Sequence, residues 1–256
     1  MALRPVVSFS RLVPRNGSTL EECEDRLALS PSRFAVADGA SEAIYSDVWA
    51  EMLVTAFCAA AGCGDAVEAG GDPLPWLAES RSRWRAWTAS LAVEALPWFA
   101  QEKLRAGSFA TFAGLTFDSA DAGGIGAPAT LTWTASACGD ACVFVVRGAE
   151  LALAFPTPAS DGFANSPPLL ATSGGDADLL RVVCGRVEPG DRFYLATDAL
   201  AQWLLAEHER GGRPWDAIGA IARPDVFDAL VRDARRTGAL RNDDLSFVAI
   251  AAGADG

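Results

Sequence analysis

The chain has 256 residues, half of them hydrophobic, with 21 Lys and Arg against 33 Asp and Glu, giving a formal net charge of −12. That length and apolar share suit one large domain with a substantial core and exclude a disordered chain. The charge argues against a nucleic-acid binder, which needs clustered cations to neutralise phosphates, and against adhesion to anionic membranes. An acidic protein that handles phosphate would need a separate positive charge at its site.

The opening residues MALRPVVSFSRLVPRN contain no continuous apolar run, so a secretory signal is not expected. Met52 to Cys63 is the longest weakly polar stretch and falls short of the roughly 18–20 residues that span a bilayer. A cytoplasmic protein is expected. Phe34 to Ala37 reads as a buried strand that stops at Asp38-Gly39. A helix is expected to follow, capped by Ser41 with Glu42 in its first turn; Ile44, Val48, Met52, Ala56 and Ala60 then recur at helical spacing.

Leu74 to Arg105 forms a second helical region, which Pro97 should break, and its tryptophans Trp76, Trp84, Trp87 and Trp98 read as a packing stripe. Beyond Gly107 the period changes. Thr111 to Phe117 and Leu131 to Ala137 read as half-covered antiparallel strands; Leu131, Trp133, Ala135 and Ala137 share one face of the second. Cys142 to Arg147 and Glu150 to Phe155 make a hairpin around Gly148-Ala149. Ala154 to Asp178, rich in Pro, Gly, Ser and Asp, is a surface loop or flap. A strand at Arg192 to Thr197 precedes helices near Ala199 to Glu209, Trp215 to Ala222 and Asp225 to Arg236, and Leu245 to Ala251 is a final strand. Helices grouped between runs of strands predict an α+β domain rather than a wound parallel sheet. No internal repeat or linker divides the chain, so 1–256 is read as a single domain.

The six cysteines (Cys23, Cys58, Cys63, Cys138, Cys142, Cys184) include no CxxC pair, and His208 is the only histidine. A zinc site or a disulfide scaffold is not expected, and buried free thiols are. The acids are more informative. Glu24 and Asp25 precede a short apolar stretch, Asp38 and Asp198 end strands, and Asp243 and Asp244 stand just before the last strand. Neighbouring strand ends lie about 4.8 Å apart, so carboxylates on several of them can converge. Converged carboxylates repel, and they suit hard divalent cations. Any one of them taken alone reads more readily as a solvated turn.

The ordered series ECED, ADGAS, GSFAT, CGDA, ATDAL and NDDLS, from Glu22 to Ser246, resembles the metal-dependent type 2C (PPM) protein serine/threonine phosphatases, and FAVADGASEAIYSDVWA and LATDALAQW resemble a bacterial branch of that family. The resemblance spans about residues 11–251. It implies a four-layer α-β-β-α sandwich, two antiparallel sheets with helices on both outer faces. It implies two Mg²⁺ or Mn²⁺ ions, with Asp38 bridging them, the Gly39 carbonyl contributing, Asp198 and Asp243 on one metal, Glu24 facing the other, and Asp25 and Asp244 behind them. A hydroxide bridging the two metals would then attack phosphorus, with Asp38 and Asp198 as the acids that matter most for catalysis. Asp140 falls in the family's Gly-Asp turn and is assigned a structural role. Arg15 and Arg241 are candidates for phosphate binding, each with an exposed surface arginine as the alternative.

The departures from the pattern are Ala40, where many members have histidine, and Ala199 and Gln202, where Gly and Asp are usual. Leu104 and Arg105 occupy the region of an acid associated with a third metal, so a third site is doubtful. The reading is therefore a phosphatase acting on phosphorylated Ser/Thr proteins. The alternative is a catalytically weak relative that binds a partner or phosphoprotein.

Overall fold

The computed structural model describes residues 3–60, 74–120 and 130–254. Two antiparallel sheets face each other. The first has the order β1-β11-β10-β6-β7, from β1 (Leu3–Val13), β11 (Leu245–Ala254), β10 (Asp191–Ala196), β6 (Cys142–Arg147) and β7 (Glu150–Phe155). The second runs β2-β3-β4-β5-β9, from β2 (Asp25–Leu29), β3 (Arg33–Gly39), β4 (Phe109–Ala120), β5 (Thr130–Cys138) and β9 (Arg181–Arg186), with the short β8 (Leu170–Ala171) pairing β4. Helices α1 (Ser46–Ala59), α2 (Pro75–Ala89) and α3 (Trp98–Ala106) belong to the side of the second sheet. Helices α4 (Asp198–Glu209), α5 (Pro214–Gly219) and α6 (Pro224–Arg236) belong to that of the first. This is the expected α-β-β-α sandwich.

Period-two alternation sorts the side chains into three packed layers. Phe34, Val36, Leu115, Trp133, Val143, Phe193, Leu195 and Val248 fill the space between the sheets. The intervening Phe144, Tyr194 and Phe247 face Leu200, Leu204, Trp215 and Phe227 of the α4 to α6 layer. On the opposite surface Ala35, Ala37 and Phe112 meet Trp49, Leu53, Phe57, Trp76, Leu77 and Trp84. Leu131, Trp133, Ala135 and Ala137 share the inner face, as their spacing predicts. β4, expected to be half-covered, is covered on both faces, because α1 and α2 pack on its outer side.

Three expectations are corrected. The helix after β3 starts at Ser46, not Ser41: Tyr45 precedes it in the left-handed region (φ 55°), and the Ser41 hydroxyl goes to Glu24 instead. The tryptophan stripe is not uniform, since Trp76 and Trp84 are buried but Trp98 is 75% exposed. Cys184 is exposed, whereas Cys23, Cys138 and Cys142 are buried free thiols; Cys63 lies outside the described residues. Three strands, β1, β9 and the short β8 inside the segment read as a loop, had no sequence expectation. β1 is an edge strand that tolerates Pro5, because the missing N–H can face away from its single partner. Among the described residues no helix is long and apolar enough to cross a membrane.

Candidate functional site

The alternation that buries Phe34 and Val36 between the sheets continues to Asp38, so the carboxylate that ends β3 points into the sandwich mouth rather than toward the helices. The β2–β3 ladder sets Asp25 directly opposite Asp38. From the other sheet, Thr197 follows β10 on the inward face and donates its hydroxyl to Asp25 Oδ2 at 2.7 Å, while accepting the Ser246 N–H at 2.9 Å. That hydroxyl joins the two sheets beneath the site.

Asp198, at the first position of α4, Asp243, before β11, and Asp140, in the turn between β5 and β6, complete the ring of acids. A cleft of about 660 Å³ is lined by Asp38, Gly39, Asp140, Asp198 and Asp243 together with Arg241 and Lys103. Its outer wall is Ala164 to Pro167 and Leu169, so the Ala154 to Asp178 segment closes one side of the site. That wall is anchored by the Arg81–Asp176 ion pair and by Asp176 accepting the Ala171 N–H.

The electrostatics follow from crowding. Burial, then the charges of Asp198, Asp244 and Asp243, holds the Asp25 carboxyl well above the usual carboxylate range despite the Thr197 hydrogen bond. Burial, then Asp25, Asp198, Asp243 and Asp140, does the same to Asp38. Asp140 is pushed up to about 7, chiefly by burial and then by Asp198. Asp243 is raised by burial and by Asp198, with Arg241 opposing. Arg241 is the counter-charge: it forms ion pairs with Asp198 and, at 3.2 Å, with Asp243.

Not every candidate reaches this cleft. Glu24 sits in the adjoining hollow with its carboxylate held by the hydroxyls of Ser41 (2.5 Å) and Ser46 (2.8 Å). Arg15 lines that same hollow, its guanidinium 3.6 Å from Glu24, and so does not stand at the acid ring. Asp244 is buried and accepts the backbone N–H groups of Arg15 (2.7 Å) and Glu24 (2.9 Å), which fixes the loop that carries Glu24. Gly39 is required by close approach: a Cβ there would lie 2.7 Å from the Ser46 backbone carbonyl. Ala40 lines the cleft, whereas His208 lies on α4 beside Trp215 and does not.

Sequence reasoning missed three contributors. Asp140 was assigned a structural turn, but it also walls the cleft; the Gly-Asp pair was the available signal. Thr197 and Lys103 carried none, because their roles depend on which elements face each other.

The donor set suits a hard divalent cation in kind: it is all oxygen, and Asp25 Oδ1 and Asp140 Oδ1 are buried with no hydrogen-bond partner among the described residues. With Arg241 drawn onto Asp198 and Asp243, no three acids, cysteines or histidines among the described residues form a ready coordination sphere.

No protein-family model and no curated protein matches this sequence. Solved structures do. The catalytic domain of the serine/threonine protein phosphatase PstP, in complex with two manganese ions, superposes with a TM-score of 0.61 at 18% identity, covering 98% of this chain and 100% of that one. The Mycobacterium tuberculosis phosphatase PstP/Ppp gives 0.62 at 16%, covering 99% and 100%. Stp1 of Staphylococcus aureus gives 0.60 at 12%, covering 100% and 98%. This chain has the fold of these serine/threonine phosphatases. In that phosphatase fold, the acid ring lies at one end of the sandwich, where strand ends of both sheets meet.

Proposed function

We propose that this protein is a divalent-metal-dependent phosphatase that hydrolyses phosphoserine and phosphothreonine in proteins. One observation carries the reading: carboxylates remote in sequence are crowded around one cleft with too little positive charge to neutralise them, in a fold whose solved examples include a phosphatase holding two manganese ions. A chain does not maintain such repulsion for stability, since each buried unpaired charge costs several kcal/mol.

Asp38, Asp198 and Asp243 would hold the metals, with the Gly39 carbonyl beside them, while Glu24 stays in the neighbouring hollow on Ser41 and Ser46 and would face the metals only from there. Divalent cations held there would supply the positive charge that draws a phosphate to the acidic cleft and would lower the pKa of a water towards neutrality. Asp25 holds its place behind Asp38 through Thr197, and Asp244 fixes the Glu24 loop. Arg241, half-exposed at the cleft, would meet the phosphate's outer oxygens once metals take over the acids it now pairs with. Ala40 offers no proton to the leaving group, and no histidine lines the cleft among the described residues.

The test is Mn²⁺-dependent hydrolysis of an aryl phosphate and of a phosphothreonine peptide. Wild type should turn both over, and Asp38→Asn and Asp198→Asn should each lose at least about a hundredfold. A folded wild type that is inert at millimolar Mn²⁺ overturns the assignment.

A further inference from the structure

We infer that α3 and the groove between α2 and α3 form a docking surface for an acidic, apolar segment of the phosphoprotein substrate, next to the phosphorylated residue. The inference rests on the phosphatase reading, and it adds a recognition element outside the acid ring.

Helix α3 presents two useful faces. Phe99, Lys103 and Ala106, spaced i, i+4, i+7, run along one of them, and Lys103 and Ala106 line the cleft itself. Trp98, Gln101 and Arg105, spaced i, i+3, i+7, run along the other. Gln101, Leu104 and Arg105 wall a second cavity of about 360 Å³, closed on the α2 side by Trp84 and Arg85. One short helix therefore borders both the cleft and a largely apolar groove.

The free end of that helix carries an aromatic pair that the fold does not use. Trp98 is 75% exposed and Phe99 is 55% exposed, the largest aromatic surface left open among the described residues, and the two rings touch only edge to face at 6.2 Å. Trp76 and Trp84, from the same stretch of sequence, are buried in the layer beneath. Trp98 and Phe99 line neither cavity; they open to solvent at the start of the helix that borders both, and adjacent exposed aromatics mark a surface that binds something.

Charge identifies the occupant. The whole chain is at −12, yet residues 75–106 hold five basic residues against three acidic ones. Arg81 and Arg83 are committed to Asp176 and Glu79. Arg85, Lys103 and Arg105 form no ion pair among the described residues; Arg85 and Arg105 wall the groove, which no acid lines, and Lys103 lines the cleft, while the unpaired Glu94 and Glu102 of the same stretch line neither cavity and Glu42 stands on the cleft. A peptide with carboxylates beside its phosphorylated residue is repelled by most of this molecule and attracted to this groove, whereas a basic peptide is repelled by it. The apolar groove, with Trp84, Val93 and Leu104 in its lining, suits aliphatic or aromatic residues between those carboxylates, and Trp98 and Phe99 offer further apolar surface where the helix begins.

The experiment measures binding and turnover separately. Two phosphothreonine peptides, one flanked by Asp, Glu and Leu and one flanked by Gly, Ser and Lys, are titrated against the Mn²⁺-loaded protein and followed by tryptophan fluorescence. Wild type should bind the acidic peptide at least tenfold more tightly, with the margin shrinking at high salt. An Arg85→Glu/Arg105→Glu variant should lose that margin, and a Trp98→Ala/Phe99→Ala variant should weaken acidic-peptide binding several-fold at any salt concentration. Equal affinities in wild type, or a margin that survives the charge reversal, overturn the docking surface. So does a wild-type dimer that Trp98→Ala/Phe99→Ala disperses while peptide preference is absent, because the aromatics then serve self-association. Aryl phosphate turnover does not involve the groove, so its failure counts against the phosphatase reading and leaves the binding comparison to decide the docking surface.

Discussion

Asp25 and Asp38 on one side of the cleft, and Asp198 and Asp243 on the other, carry the same chemistry but are held in different ways. The first pair lies on adjacent positions of the β2–β3 ladder, with Asp25 only 1% exposed and supported by the Thr197 hydroxyl. The second pair sits at a helix start and in a loop, the Asp243 side chain is 40% exposed, and Arg241 straddles the two. Backbone register preorganises one half, and a half-exposed arginine side chain partly neutralises the other. The difference shows that the acid ring is not one uniform trap: a rigid, charge-strained wall faces an adjustable one.

Substitutions that break this asymmetry should differ in sign. Asp38→Asn removes a carboxylate whose proton affinity is raised by burial and by like charges, so it should abolish Mn²⁺ uptake at the site while stabilising the metal-free fold at pH 8 by about 2 kcal/mol. Asp198→Asn also removes the anchor of Arg241, so its metal-free stability should stay near wild type. Calorimetry with and without Mn²⁺ reads both, and an equal stability gain in the two variants contradicts the asymmetry.

Thr197→Val leaves Asp25 Oδ2 without its donor and cuts the hydroxyl link between the sheets, and it should cost about 1–3 kcal/mol in urea denaturation. No change would mean that the hydroxyl bears no part of the junction. The pH profile should run opposite to ordinary acid denaturation in its upper range. Asp25, Asp38, Asp140 and Asp243 bind protons more tightly folded than unfolded, so in the metal-free protein stability is lost as pH rises and regained as pH falls. With Asp140 titrating near 7 and unfolded carboxylates near 4, the gain should accumulate between about pH 8 and pH 4.5, on the order of 2 kcal/mol, and saturating Mn²⁺ should flatten it. Metal-free melting curves that rise steadily with pH across that window sink the description of the cluster as charge-strained.

The smallest effect expected is at the adjustable wall. Arg241→Gln withdraws the competing cation from Asp198 and Asp243, and Mn²⁺ affinity should rise about threefold while inorganic phosphate binds the loaded protein more weakly. A fall in Mn²⁺ affinity would show that Arg241 organises the acids instead of competing for them.

Strand edges that end in an acid were legible in the linear chain. Asp38 closes an apolar run and Asp198 another, and the structure brings both to one cleft with Asp243. Asp140 was legible as a turn but not as a wall, since a Gly-Asp pair looks the same wherever the turn points. The helix start was misplaced because Ser41 satisfies the local rule for a cap, and the rule cannot register that Glu24, seventeen residues earlier, takes its hydroxyl instead. Trp98 failed as a core residue for a related reason: helical spacing shows that a stripe exists, but not how far the layer beneath extends.

Alone, the sequence determined the alternating strands, the amphipathic layers, the net negative charge and the acids placed at strand ends, because period, burial preference and charge are properties of neighbours along the chain. Tertiary structure alone decided that Arg241 rather than Arg15 faces the acid ring, that Thr197 joins the sheets under Asp25, and that α3 borders both cleft and groove. These depend on distances between residues far apart in sequence, and such distances are set only when the two sheets pack and choose which ends meet.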